Sequence, residues 1–238
     1  MIAQRRDAME EAESYHRRAH ELVESMSGDP RQPHAASGSL INMGNCAIQK
    51  GDFPAARRDF ERAIAIQVGL GNEPGTGFLG AHHALAGMGD VFRAERDHQA
   101  ALPHFQRSLE LARQVNDYRG SVYAIGGIAA SLACAGQWPL AARLFGAAEQ
   151  LHARMGIDFD LETMDRQRGL GLPEPWFRGR EPFNSGRHIH DALWSERNPP
   201  YPPVTDPPAA AGAWQAGREL SLDQATLAAL AARIEPAP

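Results

Sequence analysis

Three segments of this chain align with one another without gaps, and that internal repeat constrains the fold more than any other feature. The first runs Met43-Gly44-Asn45-Cys46-Ala47, then Gly51-Asp52-Phe53, then Ala56, Phe60 and Ala63. The second runs Met88-Gly89-Asp90-Val91-Phe92, then Arg96-Asp97-His98, then Ala101, Phe105 and Ser108. The third runs Ile128-Ala129-Ala130-Ser131-Leu132, then Gly136-Gln137-Trp138, then Ala141, Phe145 and Ala148. Each block reads as a helix, a tight turn and a second helix. Gly44 and Gly89 let the first helix approach its partner closely, and Gly51 and Gly136 suit the left-handed residue that ends it. Phe53, His98 and Trp138 cap the wedge between the two helices. The spacing Ala56/Phe60/Ala63 then draws a narrow seam at i, i+4 and i+7 on the second helix. The alanine-rich, aromatic-poor composition (7% Phe, Trp and Tyr) favours closely packed helices over a β-sandwich.

The pattern resembles the tetratricopeptide repeat, whose motif carries a Gly in its first helix and A-x3-F in its second. The initial Trp and the closing Pro of that motif are absent. The turn positions lie 45 residues apart from Gly51 to Arg96 and 40 apart from Arg96 to Gly136, longer than the usual period of about 34. The surplus falls in two inter-repeat loops, Gly69–Gly77 and Asn116–Gly120. The resemblance implies an all-α, superhelical solenoid of antiparallel helix pairs. Three pairs are expected over 37–157, preceded by an isolated helix over 1–26 with its seam at Ala12, His16 and Ala19. That lone helix reads as the second half of a repeat whose first half is missing, as if the chain continued a longer one.

Asp117-Tyr118-Arg119-Gly120, Gly127-Ile128-Ala129-Ala130 and Ala141–Glu149, with the tail Ala213–Ala225, are similar to the C-terminal repeat region of bacterial LuxR-type and antibiotic-regulator signal-transduction ATPases. The resemblance implies a sensor or scaffold that binds an inducer or a protein. The chain has no G-x4-G-K-[ST] phosphate loop and no recognisable helix-turn-helix. Between the matching blocks, residues 158–212 are rich in proline, from Pro173 to Pro208, and are expected to be largely irregular. That stretch is compatible with a genuine linker and equally with a stretch read in a shifted frame. Helix is expected again over 213–234, with Ser221 as an N-cap ahead of Leu222.

Lysine and arginine total 24 against 29 acidic residues, a formal charge of −5 that gives no electrostatic drive toward nucleic acid or anionic lipid. No apolar run approaches the ~20 residues that span a bilayer, and Cys46 and Cys134 match no metal or disulfide spacing. A cytoplasmic setting is expected.

Candidate chemistry fails its context tests. His16 and His20 stand at i, i+4, a spacing able to chelate zinc, without the Glu of H-E-x-x-H. His188 and His190 form an H-x-H pair inside the proline-rich stretch. Gly69-Leu70-Gly71 and Gly75 imitate a phosphate loop but follow a helix rather than a strand. Pro199–Pro203 has the composition of a polyproline II ligand, with an unstructured spacer as the plainer reading. Cys134 has no visible activating partner. No catalytic residue, cofactor or metal site is expected.

The expected working surface is a concave groove lined by the first helix of each pair. The register assigns Ile41, Asn45, Ile48 and Gln49 to it from the first pair. The second pair supplies His83, Ala86, Asp90 and Arg93, and the third supplies Tyr123, Gly126, Ala130 and Cys134. The groove contains no lysine, so it does not suit a clamp for a terminal carboxylate. The expected function is a non-catalytic module that binds a protein or peptide in a regulatory or signalling context. Two alternatives stand beside it: a remnant of a larger ATPase regulator without independent activity, and a metal-dependent hydrolase using the histidines.

Overall fold

The computed structural model describes residues 2–26, 28–29, 31–70, 80–154 and 206–234. These residues form helices and connecting turns without a strand. The helices are α1 (Ile2–Ser25), α2 (Gln32–Lys50), α3 (Phe53–Gly69), α4 (Ala81–Ala94), α5 (His98–Gln114), α6 (Tyr118–Cys134), α7 (Trp138–Arg154), α8 (Pro207–Arg218) and α9 (Leu222–Ala231). Consecutive helices pack in antiparallel pairs, from α1 on α2 through α6 on α7, as a helical solenoid requires.

Four turns in this array share one construction. A residue one or two positions past the helix sits in the left-handed region at Gly51 (φ 74°), Arg96 (66°), Asn116 (55°) and Gly136 (78°). The next residue then donates its N–H back five positions, as Asp52 does to Ala47 (2.9 Å), Asp97 to Phe92 (2.9 Å) and Asp117 to Ala112 (2.8 Å). In three of the four turns that same residue is an Asp whose carboxylate caps the following helix. Asp52 accepts from the Ala55 N–H, Asp97 from Ala100 and Asp117 from Gly120. A two-residue turn therefore both closes one helix and opens the next. Asn116–Gly120, expected as a loop, is instead such a turn followed by the first residues of α6. Asp117 supplies the cap that lets the helix start so early.

The seams of all three blocks are fully inside the protein. Ala56, Phe60 and Ala63 are 0% exposed, as are Ala101, Phe105, Ala141, Phe145 and Ala148, and Ser108 is buried beside them. Glycine sets the depth of this packing. A Cβ on Gly44 would lie 2.8 Å from the Phe60 ring, and one on Gly89 would lie 2.8 Å from the Phe105 ring. Gly87 and Gly127 crowd the same two rings from the other side. Each phenylalanine is thus wedged between the first helix of its own pair and that of the next pair.

The seam of α1 departs from expectation. Ala19 is exposed and His16 half-buried, while His20 is the buried residue. Its Nδ1 lies 2.7 Å from the Ser39 hydroxyl on α2, which draws the helix round by one position. The C-terminal region also departs from the expected single helix. Pro207 and Pro208 open α8 behind the Asp206 cap, because a proline in the first turn has no missing intrahelical bond to lose. Helix α9 starts at Leu222 with a capping box between Ser221 and Gln224. Both pack back onto the repeats. The Gln106 side-chain amide of α5 donates to the Ala229, Leu230 and Ala232 carbonyls at 3.0–3.2 Å and so closes the end of α9. His188, His190, Pro199–Pro203, Gly71, Gly75 and the proline-rich stretch up to residue 205 lie outside the described residues.

Candidate binding groove

Three first helices, α2, α4 and α6, bring one face each to a shared cleft of about 530 Å³. Ile41, Asn42 and Asn45 line it from α2, and His83, Ala86 and Gly87 from α4. Asp117, Arg119, Gly120 and Tyr123 line it from the start of α6, and His152 reaches it from α7. Asn42, Asn45, His83, Arg119 and Tyr123 are exposed, so polar and aromatic groups face the open space over an apolar floor.

The expected groove residues divide into two sets. Ile41, Asn45, His83, Ala86 and Tyr123 line the cleft. Ile48 and Ala130 are core residues instead, buried among the packed helices. Gly126 is buried, Cys134 and Gln49 are half-buried, and none of the three lines the cleft. Asp90 and Arg93 correct the expectation most clearly. Both are buried, and Arg93 Nη2 donates to Asp90 Oδ1 at 3.3 Å. The Tyr123 hydroxyl donates to the other carboxylate oxygen at 2.5 Å. One helical turn separates the two charges, so they pair with each other along α4 rather than face a ligand. Their effect on the cleft is indirect: Asp90 anchors the Tyr123 ring that does face it.

The mouth of the cleft holds a cluster that the repeat register does not reveal. His82 and His83 lie in the first turn of α4, with ring centroids 4.0 Å apart. His82 is buried, and its Nε2 sits 2.7 Å from Asp117 Oδ2; His83 Nε2 is 3.6 Å from the same oxygen. Ser108 of α5 fixes this turn by donating its hydroxyl to the His82 carbonyl at 2.7 Å. Gly120 makes room for the cluster, since a Cβ there would stand 2.7 Å from Asp117 Oδ2 and 2.8 Å from His82 Cδ2. Partial burial acts to raise the Asp117 pKa, but the Gly120 N–H and the two imidazoles outweigh it and hold the carboxyl below its ordinary value. Packing around the His83 ring, and then the neighbouring His82, lower the proton affinity of that imidazole against the pull of Asp117. In sequence the only signals were an adjacent His pair and an aspartate 34 residues beyond His83.

Neither cysteine is disposed to act as a nucleophile. Burial pushes the Cys134 thiol up to about 11, with Arg93 opposing, and burial also raises Cys46. A thiol held that high carries almost no thiolate at neutral pH. Among the described residues no helix is long and apolar enough to cross a membrane.

Comparisons with curated proteins and with solved structures give no match. The family profile of the tetratricopeptide repeat matches residues 84–117, which run from the first turns of α4 through α5 to the cap of α6. That match, the buried A-x3-F seam and the paired helices lead to one conclusion: the chain carries a tetratricopeptide repeat within an all-helical array of similar pairs.

Proposed function

We propose that the chain is a non-catalytic interaction module that binds an extended protein or peptide segment in the α2/α4/α6 cleft, in a regulatory or signalling setting. The observation that carries this reading is the run of exposed Asn42, Asn45, His83, Arg119 and Tyr123 across three successive first helices. The Asn amides can donate to and accept from the backbone of an extended segment. Tyr123 supplies a broad ring already held by Asp90, so little side-chain freedom is lost on binding. Tetratricopeptide repeats generally serve protein interaction, which fits the same reading. The regulatory setting rests on the resemblance to the repeat regions of signal-transduction ATPases.

The test is selection of peptides from a random library on the whole chain, followed by affinity measurement on variants. Tyr123→Ala is expected to weaken selected peptides at least about tenfold, the range of an aromatic anchor, and Asn45→Ala by less. Peptides that bind both variants as tightly as the parent would place the binding surface elsewhere.

A further inference from the structure

We propose that His82, His83 and Asp117 form a binding site for a divalent transition-metal ion, with zinc(II) the best match to the ligand set. Three side chains, two from the first turn of α4 and one from the residue that caps α6, offer ligand atoms that all lie within 4.8 Å of one another: two imidazole nitrogens and one carboxylate oxygen. That mixture of nitrogen and hard oxygen suits zinc, and thiolate, which soft ions require, is absent from it. Ligand atoms in a zinc tetrahedron with bonds of 2.0–2.1 Å stand about 3.3 Å apart. The two nitrogens are 2.7 and 3.6 Å from Asp117 Oδ2, values that bracket this spacing. Small adjustments of the imidazoles, easiest for the exposed His83, would complete it.

The surroundings are built for the cluster. Asp117 uses Oδ1 to cap α6 through the Gly120 N–H, which holds the carboxylate still and leaves Oδ2 turned to the imidazoles. Ser108 fixes the backbone of His82 from a third helix. Gly120 keeps clear the space that a Cβ would take from His82 and Asp117. Metal binding takes the Nε2 lone pair of each imidazole, so the neutral His82 ring carries its one proton on Nδ1, and Asp117 Oδ2 exchanges its hydrogen bond to His82 for a bond to the metal. Three protein ligands leave one position for water or for a partner's carboxylate or imidazole. His83 and Asp117 both line the cleft, so that position opens toward it.

The test uses the full chain stripped with a chelator, titrated with zinc by calorimetry and with cobalt(II) by visible absorption. One equivalent of zinc is expected, together with the visible bands of low-coordinate cobalt. A hundredfold excess over Kd should raise the melting temperature by roughly 5 °C. His83→Ala should weaken zinc at least about tenfold and remove the cobalt bands, while the metal-free melting temperature stays unchanged because the side chain is 54% exposed. Asp117→Asn should have the same effect on metal, since its amide oxygen still caps α6 but its NH2 cannot ligate. Replacing His188 and His190 with Ala should leave binding intact. The proposal is overturned if the chain takes up no zinc, or if His83→Ala and Asp117→Asn bind it as tightly as the parent.

Discussion

Replacing Phe105 with Ala is expected to lower the unfolding free energy by about 3–5 kcal/mol, the range for deleting a buried aromatic ring. The upper part of that range applies, for a reason particular to this site. Phe105 is 0% exposed, and its ring lies against Gly89 of α4 on one side and Gly127 of α6 on the other. A hole normally shrinks because neighbouring side chains lean into it, but glycine has none to lean. Closing the gap would need the two helix backbones to move, and those backbones carry two of the three helix faces that line the cleft: His83 and Gly87 on α4, Gly120 and Tyr123 on α6. Urea denaturation should therefore show a lower midpoint, and peptides selected on the cleft should bind the variant more weakly even where it is folded. Phe105→Leu, which keeps most of the volume, should cost less than about 1.5 kcal/mol. A loss below 1 kcal/mol for the Ala variant would show that the ring is not wedged as described.

The same wedge explains what the sequence disclosed and what it hid. The seam Ala101-Phe105-Ser108 is a local pattern on one helix, and its burial follows from spacing alone. The turns were also legible at Gly51 and Gly136, because a left-handed residue prefers glycine. Arg96 adopts that conformation too (φ 66°) and could be placed through its alignment with them. Gly89 was readable as a partner of its own repeat's ring. Gly87 and Gly127 were not, since each faces the ring of the preceding pair, a contact made by stacking repeats rather than by any one of them. Asp90 and Arg93 misled for a related reason. A charged residue at groove register reads as surface; the spacing lets Asp90 and Arg93 pair along one helix, but their burial is set by the helices stacked around them. The cluster at the cleft mouth needed the most tertiary information. His82 meets Asp117 because α5 folds back between them and Ser108 holds the start of α4 in place. The prolines at 207 and 208 were read by composition, which favours irregular chain, whereas their position directly behind Asp206 is a helix start.

Replacing Gly146 with Val is expected to release α8 and α9 from the repeats, at a cost of about 3 kcal/mol in docking free energy. Helices α7 and α8 cross with their backbones in contact. A Cβ on Gly146 would stand far inside van der Waals contact distance of the Trp214 carbonyl oxygen, and one on Gly217 would do the same to the Arg143 carbonyl oxygen. A clash with a side-chain tip is relieved by a rotamer change, but a clash with a carbonyl is relieved when the helix moves away. Arg218 would lose its reach to Gln150 (3.1 Å) and to the buried Glu149 (3.6 Å) as α8 shifts. Helix α9 follows α8 after a short turn, so its contacts with Gln106 and Arg113 on α5 would be strained as well. Limited trypsin digestion reads this directly at Arg218, which is half-buried at the end of the docked α8 and becomes cleavable when the pair leaves the surface. A change of 3 kcal/mol should speed that cleavage roughly 100-fold when opening is fast relative to cutting. Gly212→Ala is the control, since a Cβ at that position on the same helix meets nothing within 4 Å. It should leave cleavage unchanged or slow it slightly, as alanine favours helix over glycine. If the Gly146→Val chain resists trypsin as well as the parent, the two helices do not cross backbone to backbone, and the tail is held by its side chains alone.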